Sequence, residues 1–221
     1  MTTNYNDRSV SKVEVTGSEA RHYDFFMNMI TGGTYPFFIR RAVKEMRIQP
    51  DDKILVLGAG TGRNISLMNS YLSEGARVLG LDIGPEMLEQ AQHRFADHPY
   101  ISIEDQRIDE QLPYQGEFDK VFISFVLHGF IQEDRLKIIA NAQRALRPGG
   151  EFIILDYNEF DLEHSPWLVR FVFKMECPLA TNFVGLDLQA ILKEQGFDGF
   201  RTHPHYLGYV RLLAARKKGE K

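Results

Sequence analysis

The fold class that this 221-residue sequence predicts is α/β, a mainly parallel sheet covered by helices on both faces. Three observations predict it. Short apolar runs alternate with amphipathic stretches from residue 36 to residue 155. A glycine-rich turn follows the first of those runs directly. The last two β-rich runs have a short connection with Leu207-Gly208 between them, too little chain for a parallel crossover, so they form an antiparallel pair at the sheet edge.

Each element follows in order. Phe38, Ile39, Ala42, Val43 and Met46 recur at helical spacing and predict a helix over 36–47, broken by Pro50-Asp51. Residues 53–57 are a short apolar run that stops at glycine, the mark of a buried strand. Ile65, Met68, Tyr71 and Leu72 line the next helix. The alternation repeats with a strand at 78–81, a helix faced by Met87, Leu88, Ala91 and Phe95, and a strand at 100–103. A strong strand at 120–125 precedes a helix from about 133 to 146, which Arg147-Pro-Gly-Gly150 is expected to stop. Residues 152–155 are a further buried strand, Leu188, Ile191 and Leu192 mark a helix ending at Gly196, and β-rich runs lie near 199–205 and 209–216.

Composition narrows the function classes. With 26 Lys+Arg against 30 Asp+Glu the net charge is −4, so no broad basic field draws the chain to nucleic acid. One cysteine, Cys177, excludes an internal disulfide and a multi-cysteine zinc site, and a reducing, cytoplasmic location is expected. Met1 to Ser11 is polar and lacks the apolar core of a secretory signal. No stretch approaches the ~20 apolar residues of a membrane span, although contact with a membrane surface is left open. No His/Cys/Asp/Glu spacing suggests a metal site.

Chemistry concentrates in two segments. In Leu55-Val-Leu-Gly58-Ala-Gly60-Thr-Gly62-Arg-Asn64 the glycines permit a tight strand-to-helix turn and close approach of a ligand to the main chain. The helix that follows offers free N–H groups. The spacing is G-x-G-x-G; Arg63 stands where a dinucleotide fingerprint has its third glycine, which favours a ligand without a pyrophosphate. About 20 positions on, Gly80-Leu-Asp82 ends the next strand with a carboxylate placed to accept hydrogen bonds from a ribose. The same Asp82 precedes a Gly-Pro helix start and so also reads as a cap.

Taken in order, these segments resemble the class I S-adenosylmethionine-dependent methyltransferases, and among them the ubiquinone/menaquinone biosynthesis branch. VLGAGTG at 56–62 resembles that family's first motif and GLDIGPEML at 80–88 its second. LPYQGEFDKVFISFVLHGF at 112–130 resembles its fourth-strand region and ALRPGGEFIILDY at 145–157 the approach to its fifth strand. Tyr23-Asp24 and Thr31-Gly32 resemble the branch's N-terminal cap; Gly196-Phe197 and residues 209–216 resemble its last helix and edge strand.

The resemblance implies a Rossmann-like three-layer α/β/α sandwich, its seven-stranded sheet mainly parallel with an antiparallel last strand. Residues 1–50 would be cap helices over the cofactor site and 51–221 the methyltransferase domain, with 157–185 as a substrate lid. The cofactor would be S-adenosyl-L-methionine and the product S-adenosyl-L-homocysteine. Gly58, Gly60 and Gly62, with Ala59, Thr61 and Asn64 of the same turn, would run under the cofactor. Asp82 would bind its ribose, Ile83 and Met87 would flank the adenine, and Ser124 and Phe125 would lie near the methionine moiety. Tyr23 and Tyr35 would close the pocket. Where the family often has Asp or Asn before Leu-Pro, this chain has Ile108, so an Ile108 backbone contact or the Asp109 side chain would meet the adenine.

His128, just past the fourth strand, is the candidate general base, with Tyr23 next; packing is its other reading. In the aromatic stretch 164–183, Trp167 and Phe171 are expected to touch the acceptor, and Arg170, sharing a helix face with Lys174, to meet an anionic group or solvent. The acceptor expected is small and partly apolar, a quinone or phenol ring or a lipid amine head group. Two other functions compete: an NAD(P)-dependent oxidoreductase and a non-catalytic S-adenosylmethionine-binding module. Neither the acceptor atom nor the oligomeric state is legible.

Overall fold

In the computed structural model, which describes residues 33–175 and 177–219, the apolar runs of the sequence become one sheet. Its strands are β1 (Lys53–Leu57), β2 (Arg77–Asp82), β3 (Ile101–Asp105), β4 (Phe118–Ser124), β5 (Leu146–Tyr157), β6 (Phe197–His205) and β7 (Val210–Lys217). Their spatial order is β3-β2-β1-β4-β5-β7-β6. All pairings among β1 to β5 are parallel, and β7 runs antiparallel to both β5 and β6. The helices are α1 (Tyr35–Glu45), α2 (Arg63–Asn69), α3 (Pro85–Arg94), α4 (Gln132–Ala145), α5 (Trp167–Met175), α6 (Pro178–Phe183) and α7 (Leu188–Glu194).

Strand alternation builds the layers. In β1, Leu55 and Leu57 point to the side covered by Ile138, Ile139 and Ala142 of α4 and Leu188 and Leu192 of α7. Ile54 and Val56 point to the other side, against Phe38, Ile39 and Val43 of α1 and Ile65 and Met68 of α2. Both sets are buried, which is why the strand reads as a continuous apolar run. A smaller cluster of Ile131, Phe173, Cys177, Leu179, Ala180 and Val184 seats α5 and α6 beside the main core. Among the described residues no helix is long and apolar enough to cross a membrane.

The expected stop at Arg147-Pro-Gly-Gly150 takes a different form. The helix ends at Ala145, and β5 begins at once with Leu146 opposite Phe118. Register then shifts, and regular pairing resumes at Glu151 opposite Lys120. Proline and the two glycines therefore make an irregular strand entry rather than a loop, because the buried Leu146 anchors the chain to the sheet.

The end of the sheet away from the glycine turn carries a buried charge cluster. Lys120 Nζ lies 3.5 Å from Asp52 and 3.4 Å from Glu151, and Arg201 pairs with Glu151 from the edge strand. Burial alone pushes the Glu151 carboxyl up, but Arg201 and Lys120 outweigh it and hold it below the ordinary value of 4.5. A carboxylate with a lowered folded pKa stabilises fully above its ordinary value, and that contribution is lost as pH falls through the folded one. Melting temperature should therefore drop more steeply below pH 4.5 for the wild type than for Glu151→Gln. Parallel acid limbs would show that Glu151 gains nothing from its partners.

Candidate active site

The order β2-β1-β4-β5 makes the gap between β1 and β4 a topological switch point, since the chain leaves β1 toward β2 and leaves β4 toward β5. Beyond the carboxyl ends of two such strands a crevice opens where ligands bind in open α/β sheets. The glycine turn enters it from β1, and Ser124 to Val126 enter it from β4.

The turn is held from below. The N–H groups of Gly58 and Ala59 both donate to Leu81 O at 2.9 Å, and Gly62 N donates to Ala59 O at 3.0 Å. The three glycines differ in why they are glycine. A Cβ on Gly58 would come within 2.7 Å of Val126, and one on Gly62 within 2.5 Å of Phe95, so these two satisfy protein packing. Gly60, at φ +54°, would direct a Cβ into space with no protein atom within 4 Å. That is the room a ligand against the main chain requires.

Asp82 stitches two loops together. Its Oδ2 accepts from Gly60 N at 2.7 Å, and its Oδ1 accepts from Ile83 N at 2.8 Å and Gly84 N at 3.0 Å. The residue at the N-cap of α3 is Gly84, so Asp82 braces the turn ahead of the helix rather than capping it. An ionised carboxylate offers about four acceptor sites. Three are used here by the main chain, which leaves acceptor capacity on Oδ2.

On the other side, Ser124, Phe125 and Val126 are only half-buried after a fully buried run of β4. Phe125 takes a left-handed backbone, φ 51°, which is costly for a bulky residue and turns the chain out of the strand. Its amide stays tied to Leu155 O at 2.8 Å. A 3₁₀ turn, Leu127–Gly129, follows and carries His128.

His128 is fixed on several sides. Its Nδ1 lies 2.7 Å from Asp156 Oδ1, and its main-chain N–H donates to Asp156 Oδ2 at 3.2 Å. Arg135 Nη2 donates to the His128 carbonyl at 2.9 Å. Asp156 ends the apolar run of β5 and is 1% exposed. Because an ionised carboxylate only accepts, Nδ1 is the donor, and in the neutral ring the basic lone pair belongs to Nε2. Tyr157 and Phe183 pack against the imidazole with ring centroids at 4.9 and 6.4 Å. Phe125 and Phe173 pack against Tyr157 in turn, at 6.0 and 4.8 Å. The result is a charge-supported imidazole among aromatic rings at the rim of the crevice.

Asp156 and Arg135 were not candidates in the sequence. Asp156 carries the same signal as Asp82, an acidic residue closing an apolar strand in Phe-Ile-Ile-Leu-Asp. Arg135 had no such signal, because a cation on a helix next to Glu133 and Asp134 resembles a solvated one.

The other expected positions divide. Tyr35 is buried, and the Arg63 guanidinium lies 5.0 Å above its ring, which ties α1 to the helix after the glycine turn. Met87 is buried at the base of α3, and Thr61, Asn64 and Ile83 are half-buried. Tyr23 lies outside the described residues. Ile108 packs into the core, and its carbonyl accepts from Asn141 at 2.8 Å. Asp109 is held by Arg107 Nε and Nη2, at 3.1 and 2.9 Å, so neither residue is committed to an adenine by geometry alone. Along the aromatic stretch 164–183, expected to form part of a substrate lid, exposure differs from residue to residue. Trp167 is 72% and Phe171 53% exposed, whereas Phe173 of the same helix is the ring that reaches Tyr157. Helical rotation puts 173 on the inner face and 167 and 171 on the outer one. Arg170 borders a surface crevice with Leu162, Glu163, Phe173, Lys174 and Thr181.

Comparison with known proteins agrees with this architecture. Residues 54–150 match the family model described as "Methyltransferase domain". An uncharacterized methyltransferase of Synechocystis is 31% identical over 182 residues, 81% of this chain and 82% of that protein. The ubiquinone/menaquinone biosynthesis C-methyltransferase of Vibrio campbellii is 28% identical over 162 residues, and the chain spans 62% of its length. Among solved structures, a SAM dependent methyltransferase from Aquifex aeolicus superposes with a TM-score of 0.63 at 18% identity, over 80% of this chain and 88% of that one. Phosphoethanolamine N-methyltransferase 2 of Haemonchus contortus, in complex with S-adenosyl-L-methionine, gives 0.62 at 17% identity, over 77% and 50%. At these identities the two structures speak for a common fold.

Proposed function

Since the chain belongs to the class I S-adenosylmethionine-dependent methyltransferases, we propose that it methylates a small, partly apolar acceptor, a quinone or phenol ring or a lipid amine head group, with His128 as the proton acceptor. One observation carries the reading: the His128–Asp156 pair sits among Tyr157, Phe183 and, through Tyr157, Phe125 and Phe173, two residues past the Val126 side chain that closes on Gly58 of the glycine turn. Aromatic walls compensate an apolar acceptor for lost water and offer a strictly polar one nothing.

The residues fit the cofactor. S-adenosylmethionine, when bound, supplies an electrophilic methyl on a sulfonium. The open space over Gly60 leaves room for it against the main chain, and the spare acceptor capacity of Asp82 suits a ribose hydroxyl. Ser124 and Phe125 approach the same crevice from β4. Ile83, Met87 and the Ile108–Asp109 segment border its β2 and β3 side, where the adenine would lie. The protein's part is then to align the acceptor and exclude water. His128 Nε2 takes the proton from a phenol, enol or ammonium, and Asp156 holds Nδ1–H and stabilises the imidazolium that results. The N-terminal cap, with Tyr35 and Tyr23, would close the crevice.

Two experiments test the reading. Titration with S-adenosylhomocysteine should raise the melting temperature of the wild type, as a native-state ligand must. Gly60→Ala should fold and yet bind at least tenfold more weakly, since its methyl enters the ligand space. Asp82→Ala should lose about 1.5–3 kcal/mol of affinity, the range for a hydrogen bond to a charged group. Unchanged affinity in both variants would remove Gly60 and Asp82 from the cofactor site. Radiolabelled methyl from S-adenosylmethionine, incubated with enzyme and cell extract, should then partition into the organic phase; label confined to free amino acids would rule out the apolar acceptor.

A further inference from the structure

The helix α5 has more apolar surface than the core covers. Its sequence, Trp-Leu-Val-Arg-Phe-Val-Phe-Lys-Met, contains no acidic residue. At about 100° per residue, Val169, Val172 and Phe173 face inward, and Phe173 is buried against Tyr157 and Phe160. Trp167, Leu168 and Phe171 share roughly the next third of the circumference, and they stand 72%, 57% and 53% exposed. Arg170 and Lys174, one turn apart and both exposed, occupy the remaining edge. From inside to outside the helix therefore runs from core, to bare tryptophan, leucine and phenylalanine, to cations.

We propose that this outer face of α5 is a membrane-docking surface that lays Trp167, Leu168 and Phe171 into the interfacial region of an anionic bilayer. Aromatic and leucine side chains on one face with Lys/Arg beside them are the composition of helices that lie in the plane of a membrane interface. The size of the patch argues against a second copy of the chain. Three side chains at these exposures present roughly 300–400 Å² of apolar surface, well short of the ~800 Å² per partner of a stable protein interface. The charges on the helix itself are all positive; Glu163 is exposed and lines the same crevice as Arg170 and Lys174, Glu176 follows the helix in the sequence, Asp161 is occupied by His164 at 2.6 Å, and Glu159 by Arg211 at 2.7 Å. Because Phe173 of the same helix touches Tyr157, and Tyr157 touches His128, docking would set the bilayer one helix away from the proposed proton acceptor.

The sequence supplies its own probe, since Trp167 is the single tryptophan. The 221-residue chain, without cofactor or acceptor, is titrated with phosphatidylcholine vesicles with and without phosphatidylglycerol while its fluorescence is followed. The anionic vesicles should shift Trp167 emission to the blue, and bromine-labelled lipid should quench it. Each cation near an anionic surface contributes about fivefold in binding, so Arg170→Gln with Lys174→Gln should raise the lipid concentration needed at least tenfold. Leu168→Ser with Phe171→Ser should abolish the shift; both positions are exposed, and circular dichroism confirms that the variant is folded. Emission unmoved by either vesicle overturns the proposal. So does a blue shift that follows protein concentration without lipid, which would assign the face to self-association. Neither failure bears on methyl transfer, which is measured separately.

Discussion

His128→Ala is expected to lower kcat by ~10²–10⁴, the usual worth of a positioned general base, while S-adenosylhomocysteine still binds as in the wild type. The glycine turn and Asp82, which would hold the cofactor, make none of their hydrogen bonds through the His128 ring. An imidazole base must be neutral to work, so kcat should carry an acidic limb that the variant lacks. Asp156→Asn discriminates further. An amide keeps its oxygen where Oδ1 accepts from Nδ1 and from the Tyr157 N–H at 2.8 Å, so the ring stays in place, but it carries no charge to stabilise the imidazolium that forms. Asp156→Asn should therefore lose at least tenfold in kcat with KM little changed, and its pH profile should change together with the rate. A folded His128→Ala enzyme with wild-type kcat would make the pair a packing feature, and the phenol of Tyr23 would become the candidate.

Arg135→Met is expected to cost about 3–5 kcal/mol, the cost of breaking a buried charge network from one side. The guanidinium is 2% exposed. It donates to Leu127 O at 3.2 Å, His128 O at 2.9 Å, Leu179 O at 3.0 Å and Asn182 Oδ1 at 2.8 Å, and it lies 5.1 Å from the ring centroid of Phe183. Burial pushes its pKa down to about 10, against the pull of Asp156, so it remains charged at neutral pH. Methionine fills the volume and leaves the carbonyls without donors. At roughly 2–4 °C per kcal/mol for a chain of this size, melting should fall by about 10 °C. Arg135→Lys should recover little of that, since a single ammonium cannot serve carbonyls on two elements in the planar fork geometry of a guanidinium. A fall of under ~2 °C would mean that water replaces the guanidinium. The same clamp joins the 3₁₀ turn of His128 to α6, so a folded Arg135→Met enzyme should also lose activity.

The physical reason for what was legible is the range of the interactions involved. The alternation of strands and helices, the parallel sheet with β7 reversed, the glycine turn after β1 and the carboxylate ending β2 are all written in local patterns. Periodicity records which face of an element is buried, and glycine spacing records where the backbone must bend. The sequence alone also singled out His128, because it follows the fourth strand at the edge where such sheets carry their sites. Its partners were decided by the tertiary structure. Asp156 is 28 positions away and reaches Nδ1 only because β4 and β5 pair in parallel, Ser124 opposite Leu155. Arg135 is seven residues from His128 and 44 from Leu179, and packing alone turns it inward rather than toward solvent. The aromatic stretch 164–183 shows the same limit from the other side. Its aromatic content was plain, but helical rotation and the cover provided by the core decided that Phe173 packs inward against Tyr157 and that Trp167 and Phe171 face out, because burial is a property of neighbours that a single chain's order of residues does not list.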